Sequence, residues 1–346
     1  MKCAIVTVYN SENSGSYLQA YALGEKIKQL GHTAVFVRQN FSDHGTSYIQ
    51  YIKKIGRGIC KCKISSIKLI NTRRKAFKTA VSKFTLENPN KSIDNYILGS
   101  DTIWDISIKY FRNHRSFFWG TDFIGTKVIS YAASLGFANA DIIKNCDIVP
   151  QALNNIASIS VRENSAREIL QPYTEKKIEV VCDPTLLLQR EEYEALAPQN
   201  NYKNCIFIYS YGKMPVEYAE EIQRFARTEG LKTIILGTGN EWCDFSLAYD
   251  PFLFLGIMKN AKYVITNTFH GTVFSHILEK KFAVIDCGKS KVTDFLIKHG
   301  TTDKSFRNAA DIETILKSQY DYESINAIIQ EERNAGTSFL KAAIEG

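Results

Sequence analysis

No apolar run in this chain of 346 residues approaches the roughly 20 residues that a membrane-spanning helix requires. The opening Met1–Val8 stretch reads as a short strand ending in polar residues rather than as a signal peptide. Neither a Gly-x-Gly-x-x-Gly nor a Walker pattern occurs in full, so no glycine-rich phosphate loop is evident. No Gly-x-Ser-x-Gly turn or cysteine–histidine arrangement offers a covalent nucleophile. No pairing of histidines with carboxylates has the spacing of a metal site. The eight cysteines are scattered, and the one close pair, Cys60-Lys61-Cys62, fits neither zinc nor redox spacing. These absences argue against a membrane-spanning protein, a metalloenzyme and a serine or cysteine hydrolase. They leave a cytoplasmic protein with reduced thiols and no metal or cofactor as the expectation.

The chain does have the composition of a globular protein, 45% hydrophobic and 23% charged. Its length favours two domains over one core. The formal charge of +7 is unevenly placed: Lys53 to Lys83 holds eleven Lys or Arg residues and no Asp or Glu. Isoleucines and Leu69 are interleaved among them. A solvated helical face is one reading. The other is an amphipathic segment resting on anionic lipid or a lipid-linked diphosphate at the inner face of the plasma membrane. Nucleic acid is not expected as a partner, because no recognition module accompanies the charge.

Strand and helix patterns alternate throughout, which predicts an α/β fold with mainly parallel sheets. Strands are expected at 3–8, 34–37, 96–98, 128–132, 156–161 and 178–182, with a helix over 16–30 that Gly31 stops. A second series follows, with strands at 205–209, 233–236, 263–266 and 282–285. Two Rossmann-like domains facing a cleft are the simplest assembly. The expected division is 1–190, 191–310 and a helical tail, 311–346, packing back on the first domain. The polar stretch Gln189–Asn204 reads as the connection.

In such sheets ligands gather beyond the carboxyl ends of the strands, and the polar clusters fall there. After the first strand come Asn13 and Ser16 as ligand contacts, with Ser16 alternatively a plain helix cap. Ser100 and Asp101 follow the third strand. Asp101 reads as a helix N-cap or as a base for a sugar hydroxyl, and Trp104 as core or as a platform for a sugar face. Arg162 suits bidentate recognition of carboxylate or phosphate, against a plain surface pair with Glu163. Asp183 reads as fixing a turn. The stretch Asn267-Thr268-Phe269-His270-Gly271 turns a strand directly into a helix, and its free N–H groups form an anion cradle with a proton carrier inside. The bland alternative is a buried histidine satisfying local backbone groups. Lys289 and Lys291 sit on a basic turn able to contact phosphate, and His276 reads as packing.

Six of these segments, in order, resemble the polysaccharide pyruvyl transferase family: Asn13–Leu23, Gly99–Asp105, Ser130–Gly136, Ser160–Ser165, Asp183–Leu187 and Thr266–Gly271. The resemblance implies a GT-B-like fold and transfer of pyruvate from phosphoenolpyruvate onto two hydroxyls of one sugar. The product would be a cyclic ketal in a surface polysaccharide. His270 matches the family's functional histidine and Arg162 its anion-binding arginine. Thr268 stands where some relatives have arginine, so Lys289 or Lys291 is expected to supply that charge. His270 is then the expected proton donor and Asp101 the group that orients or deprotonates the acceptor. A GT-B glycosyltransferase using a nucleotide sugar is the nearest alternative, since architecture does not separate donors. A catalytically silent subunit of a membrane assembly is the other.

Overall fold

The computed structural model describes residues 1–41, 64–123, 125–237, 242–288 and 290–346. Lys53–Lys63, the Cys60–Cys62 pair and Lys289 therefore lie outside the described residues. The first sheet contains β1 (Lys2–Val6), β2 (Thr33–Val37), β3 (Leu86–Glu87), β4 (Asn95–Leu98), β5 (Lys127–Ser130), β6 (Ile156–Val161) and β7 (Ile178–Val180). The second contains β8 (Cys205–Tyr209), β9 (Lys232–Leu236), β10 (Phe245–Leu247), β11 (Tyr263–Thr266), β12 (Lys281–Ile285) and β13 (Ser305–Phe306). The paired strands run parallel in both sheets. Parallel strands need helical crossovers that cover both faces, which is why β4 and β8 are buried along their whole length.

The strand orders are β3-β2-β1-β4-β5-β6-β7 and β10-β9-β8-β11-β12-β13. Both reverse direction once, between β1 and β4 and between β8 and β11. A reversal leaves a crevice where two loops diverge, and such switch points are where doubly wound sheets bind ligands. The molecule thus consists of two Rossmann-like lobes in a GT-B-like arrangement. One continuous buried cluster joins them. It includes Leu18 and Leu23 of the Ser14–Gln29 helix, Phe254 of the Pro251–Asn260 helix and Phe274 of the Phe269–Ile277 helix. Separate clusters fill the remaining layers of each lobe.

Several expectations change against this frame. The first helix starts at Ser14 and is capped by Asn13, not Ser16. Trp104 is fully buried, stacks on Trp119 with centroids 4.5 Å apart, and donates its indole N–H to the Phe118 carbonyl. It is core, and unavailable to a sugar. The 189–204 stretch is not mere connection: Glu192 turns back to accept from the Gln189 N–H at 2.6 Å, closing the start of an Arg190–Leu196 helix. The final helix, Tyr322–Glu345, touches both the Pro184–Leu186 turn and the Phe269–Ile277 helix. Its buried Arg333 donates to the Leu186 and Leu188 carbonyls. No helix among the described residues is long and apolar enough to cross a membrane.

His276 packs as the periodicity predicts, fully buried between the Thr272 carbonyl, 2.8 Å from Nδ1, and Thr301 Oγ1, 3.0 Å from Nε2. A carbonyl only accepts, so Nδ1 carries the proton and the neutral ring is satisfied. Burial, with His299 nearby, pushes its pKa down to about 3. The unfolded chain takes up a proton near pH 6.5 that the folded protein refuses, so stability falls on acidification. The expected slope from this residue is about 1.4 kcal/mol per pH unit between roughly pH 6 and 4. Urea melts should show that slope removed in His276→Gln.

Candidate active site

The two switch points bring three loops together. From the first lobe come the β1 loop with Asn13, Gly15 and Ser16, and the β4 loop with Ser100 and Asp101. From the second comes the β11 turn with His270. Gly15 and His270 are in direct contact: a Cβ on Gly15 would stand 2.2 Å from His270 Nδ1. Only a residue without a side chain lets the imidazole sit against the first helix. Gly99 has φ +117, and a Cβ there would meet the Tyr131 carbonyl at 2.2 Å. It delivers the chain into Ser100 and Asp101, where Asp101 itself has φ 71. No helix follows Asp101 directly, so it is not an N-cap. Its Oδ1 accepts from the Thr102 N–H at 2.8 Å, and Oδ2 accepts from Ser16 Oγ at 2.6 Å.

Asp183 is the hub that sequence reasoning assigned only to a turn. It does fix that turn, its Oδ1 accepting from Thr185 N and Oγ1 at 3.0 and 2.8 Å. Its other oxygen, Oδ2, receives Arg162 Nη1 at 2.9 Å and lies 3.8 Å from His270 Nε2. Arg162 also gives Nε to Glu163 Oε1 at 2.9 Å, and Ser134 Oγ donates to that same oxygen at 2.8 Å. The Arg162–Glu163 pair is therefore not a surface pair; their side chains are only 4% and 10% exposed. The guanidinium lies over the Phe269 ring, 4.5 Å from its centroid. Within this cluster of described residues, two buried nitrogens have no hydrogen-bond partner: Arg162 Nη2 and His270 Nε2.

Charge and burial set the protonation states. Burial would raise the Asp183 carboxyl, but His270, Arg162 and the Thr185 donors outweigh it and hold its pKa below the usual range. Burial works against the Arg162 charge, yet Glu163, Asp183 and Asp101 raise its pKa overall. For His270 burial is the largest influence and lowers its pKa, opposed by Asp183 and Asp101 and reinforced by Arg162 and Lys291. In the free protein the imidazole is biased towards neutrality.

The remaining candidates mostly support this cluster. Asn13 accepts from the Gly15 and Ser16 N–H groups. Ser100 is buried, its Oγ 3.0 Å from the Ala132 carbonyl and 3.4 Å from Asp183 Oδ2. Asn267 spends its amide on both backbone groups of Tyr211, each at 2.9 Å. Thr268 caps the helix through the Gly271 N–H at 2.9 Å, and the Thr268 N–H goes to Thr266 Oγ1 at 3.1 Å. Two of the turn's N–H groups are thus already taken, so the anion cradle expected there is narrower. Phe269 supports Arg162. Lys291 lies half-buried in the Ser290–Lys298 helix, close enough for its charge to act on His270. The signal that could have revealed Asp183 was its place just past β7, on the edge shared with Arg162 and Asp101.

The model of the family described as "Polysaccharide pyruvyl transferase" matches residues 13–289. The chain belongs to the polysaccharide pyruvyl transferase family. It is accordingly a transferase-type enzyme of sugar and polysaccharide biosynthesis. Every candidate site residue except Lys291 falls inside the matched range. No curated protein matches the chain significantly in sequence.

Solved structures share the fold at low identity. A putative UDP-N-acetylglucosamine 2-epimerase from Listeria monocytogenes is 11% identical, covering 95% of this chain and 90% of its own, with a TM-score of 0.53. Arabidopsis thaliana UGT89C1, complexed with UDP-L-rhamnose, is 9% identical over 99% and 98%, with a TM-score of 0.52. These likenesses establish architecture alone.

Proposed function

We propose that this enzyme transfers pyruvate from phosphoenolpyruvate to two hydroxyls of one sugar in an acceptor, forming a cyclic ketal. The observation that carries this reading is the pair of unpartnered buried nitrogens, Arg162 Nη2 and His270 Nε2, around Asp183. Buried polar atoms without partners are costly and call for an explanation. An anionic substrate with a carbon to protonate satisfies both: Arg162 grips its carboxylate or phosphate, and the imidazole faces its methylene carbon. Proton transfer from His270 to that carbon leaves a cationic centre at the carbon bearing phosphate. One sugar hydroxyl adds there and loses its proton, with Asp101 as acceptor. The C–O bond to phosphate then breaks and inorganic phosphate departs. The second hydroxyl adds to the same carbon, loses its proton and closes the ring.

The protein works in the cytoplasm in this reading. Lys68, Arg74, Lys75 and Lys78 on the Ile64–Val81 helix, all exposed, suit peripheral contact with anionic lipid and a lipid-diphosphate-linked acceptor.

A nucleotide-sugar donor is the second reading. It is favoured by a cavity of about 330 Å³ beyond β8, β11 and β12, lined by Tyr211, Lys213, Tyr218 and Asn267 among others. Proteins of the same fold include a putative UDP-N-acetylglucosamine 2-epimerase and UGT89C1 complexed with UDP-L-rhamnose. Mixing enzyme with phosphoenolpyruvate and candidate acceptors decides between them. The expected result is release of inorganic phosphate matched by a mass gain on the sugar. Turnover with UDP-sugars alone, and thermal stabilisation by them alone, would replace the first reading with the second.

A further inference from the structure

The donor site as described is short of positive charge. One guanidinium, Arg162, faces three carboxylates, Asp183, Glu163 and Asp101, and half-buried Lys291, whose charge acts on His270, does not balance them. A phosphate arriving beside them needs another cation. The basic helix Ile64–Val81 supplies a candidate. Lys68, Arg74, Lys75 and Lys78 on it are exposed, whereas the Arg73 side chain is only 24% exposed and turns inward.

Arg73 spans the two lobes. Its Nη2 donates to the carbonyl of Glu12, the residue before the Asn13 cap. Its guanidinium lies over the Tyr249 ring, 4.6 Å from the centroid. Nη1 is 3.9 Å from where a Cβ on Gly237, just past β9, would stand. Nε forms an ion pair with Glu12 Oε2 at 3.6 Å, too long for a hydrogen bond, and has no hydrogen-bond partner. Tyr211 is 47% exposed and bonded through its backbone to Asn267. It lies within range of the charges of both Arg73 and Asp101. Stacking on Tyr249 and one carbonyl bond fix the guanidinium while leaving most of its five N–H donors unspent.

We propose that Arg73 grips a phosphate group of the substrate in the cleft between the lobes, as a second guanidinium alongside Arg162. The inference rests on a phosphate-bearing substrate in that cleft, whether phosphoenolpyruvate or a nucleotide sugar. It also gives the basic segment a role that a solvated face would not have.

Calorimetric titration of phosphoenolpyruvate and of UDP-N-acetylglucosamine into wild type, Arg73→Gln, Arg73→Lys and the control Lys144→Ala, an exposed lysine with no role in the site, tests it. The expected result is at least about tenfold weaker phosphoenolpyruvate binding in Arg73→Gln, equivalent to about 1.4 kcal/mol. Arg73→Lys should recover part of that loss, and Lys144→Ala should bind as wild type. Unfolding midpoints measured alongside separate a lost contact from a loosened helix, because Arg73→Gln retains a donor for the Glu12 carbonyl. Weakening confined to UDP-N-acetylglucosamine would keep the phosphate grip and overturn the pyruvyl donor. Equal affinity of all four proteins for whichever ligand wild type binds would overturn the role of Arg73. Wild type binding neither ligand would overturn both.

Discussion

Replacing His270 with alanine is expected to lower kcat by about 10²–10⁴-fold, the usual contribution of a positioned acid or base. Binding of phosphoenolpyruvate should survive, because Arg162 remains in place on Asp183 and Phe269. His270→Gln should be as slow, since it restores a donor but carries no transferable proton. The pH profiles carry a sharper signature. In the free protein burial leads the influences that lower the His270 pKa below its ordinary value. A bound carboxylate and phosphate would offset Arg162 and Lys291 and stabilise imidazolium. If the imidazolium is the donor, both kcat/KM and kcat fall as pH rises. The fall in kcat should lie at higher pH, because kcat reports the loaded complex and kcat/KM the free enzyme. Coincident limbs, or near wild-type turnover in His270→Ala, would remove the imidazole from proton transfer.

The parts of the fold that were legible in the sequence are those where periodicity has room to show. Strands β6, β8 and β11 run over the residues predicted, β8 and β11 because each is a mostly apolar run bounded by polar residues. Strands β3, β10 and β13 were not predicted. They have two or three residues each, too few for any alternation to appear. The Arg190–Leu196 helix was hidden by its polar composition; only Leu196 and the buried Tyr193 mark an inner face. At the site, Arg162 and His270 stood out because a charged or titratable residue directly after a buried strand has few structural excuses. Asp183 did not, because one oxygen caps a turn, and that sufficient local explanation concealed the work of the other. Arg73 was one of eleven basic residues, and no helical projection says which of them points between two lobes.

The largest effect on stability is expected at Asp183. Its side chain is 1% exposed, and its loss leaves buried Arg162 ion-paired with Glu163 alone, Asp101 acting only at longer range. Breaking a buried pair from one side typically costs about 3–5 kcal/mol, and Asp183→Ala also loses the Thr185 cap. Asp183→Asn keeps an acceptor for Thr185, so it should cost less while turning an amide N–H group or a neutral oxygen towards Arg162. The two variants share a pH signature. The folded pKa of Asp183 is held below its unfolded value, so the stability it provides is complete above about pH 4. It is lost as pH falls through the lower folded value. Urea melts of wild type and Asp183→Asn should therefore stand apart at pH 7 and converge below about pH 4. Curves that stay parallel from pH 7 to 3 would mean that the carboxylate acts by shape alone. Convergence, with kcat/KM at pH 7 reduced in Asp183→Asn beyond any unfolding, would identify its charge as what holds Arg162 and His270 in one geometry.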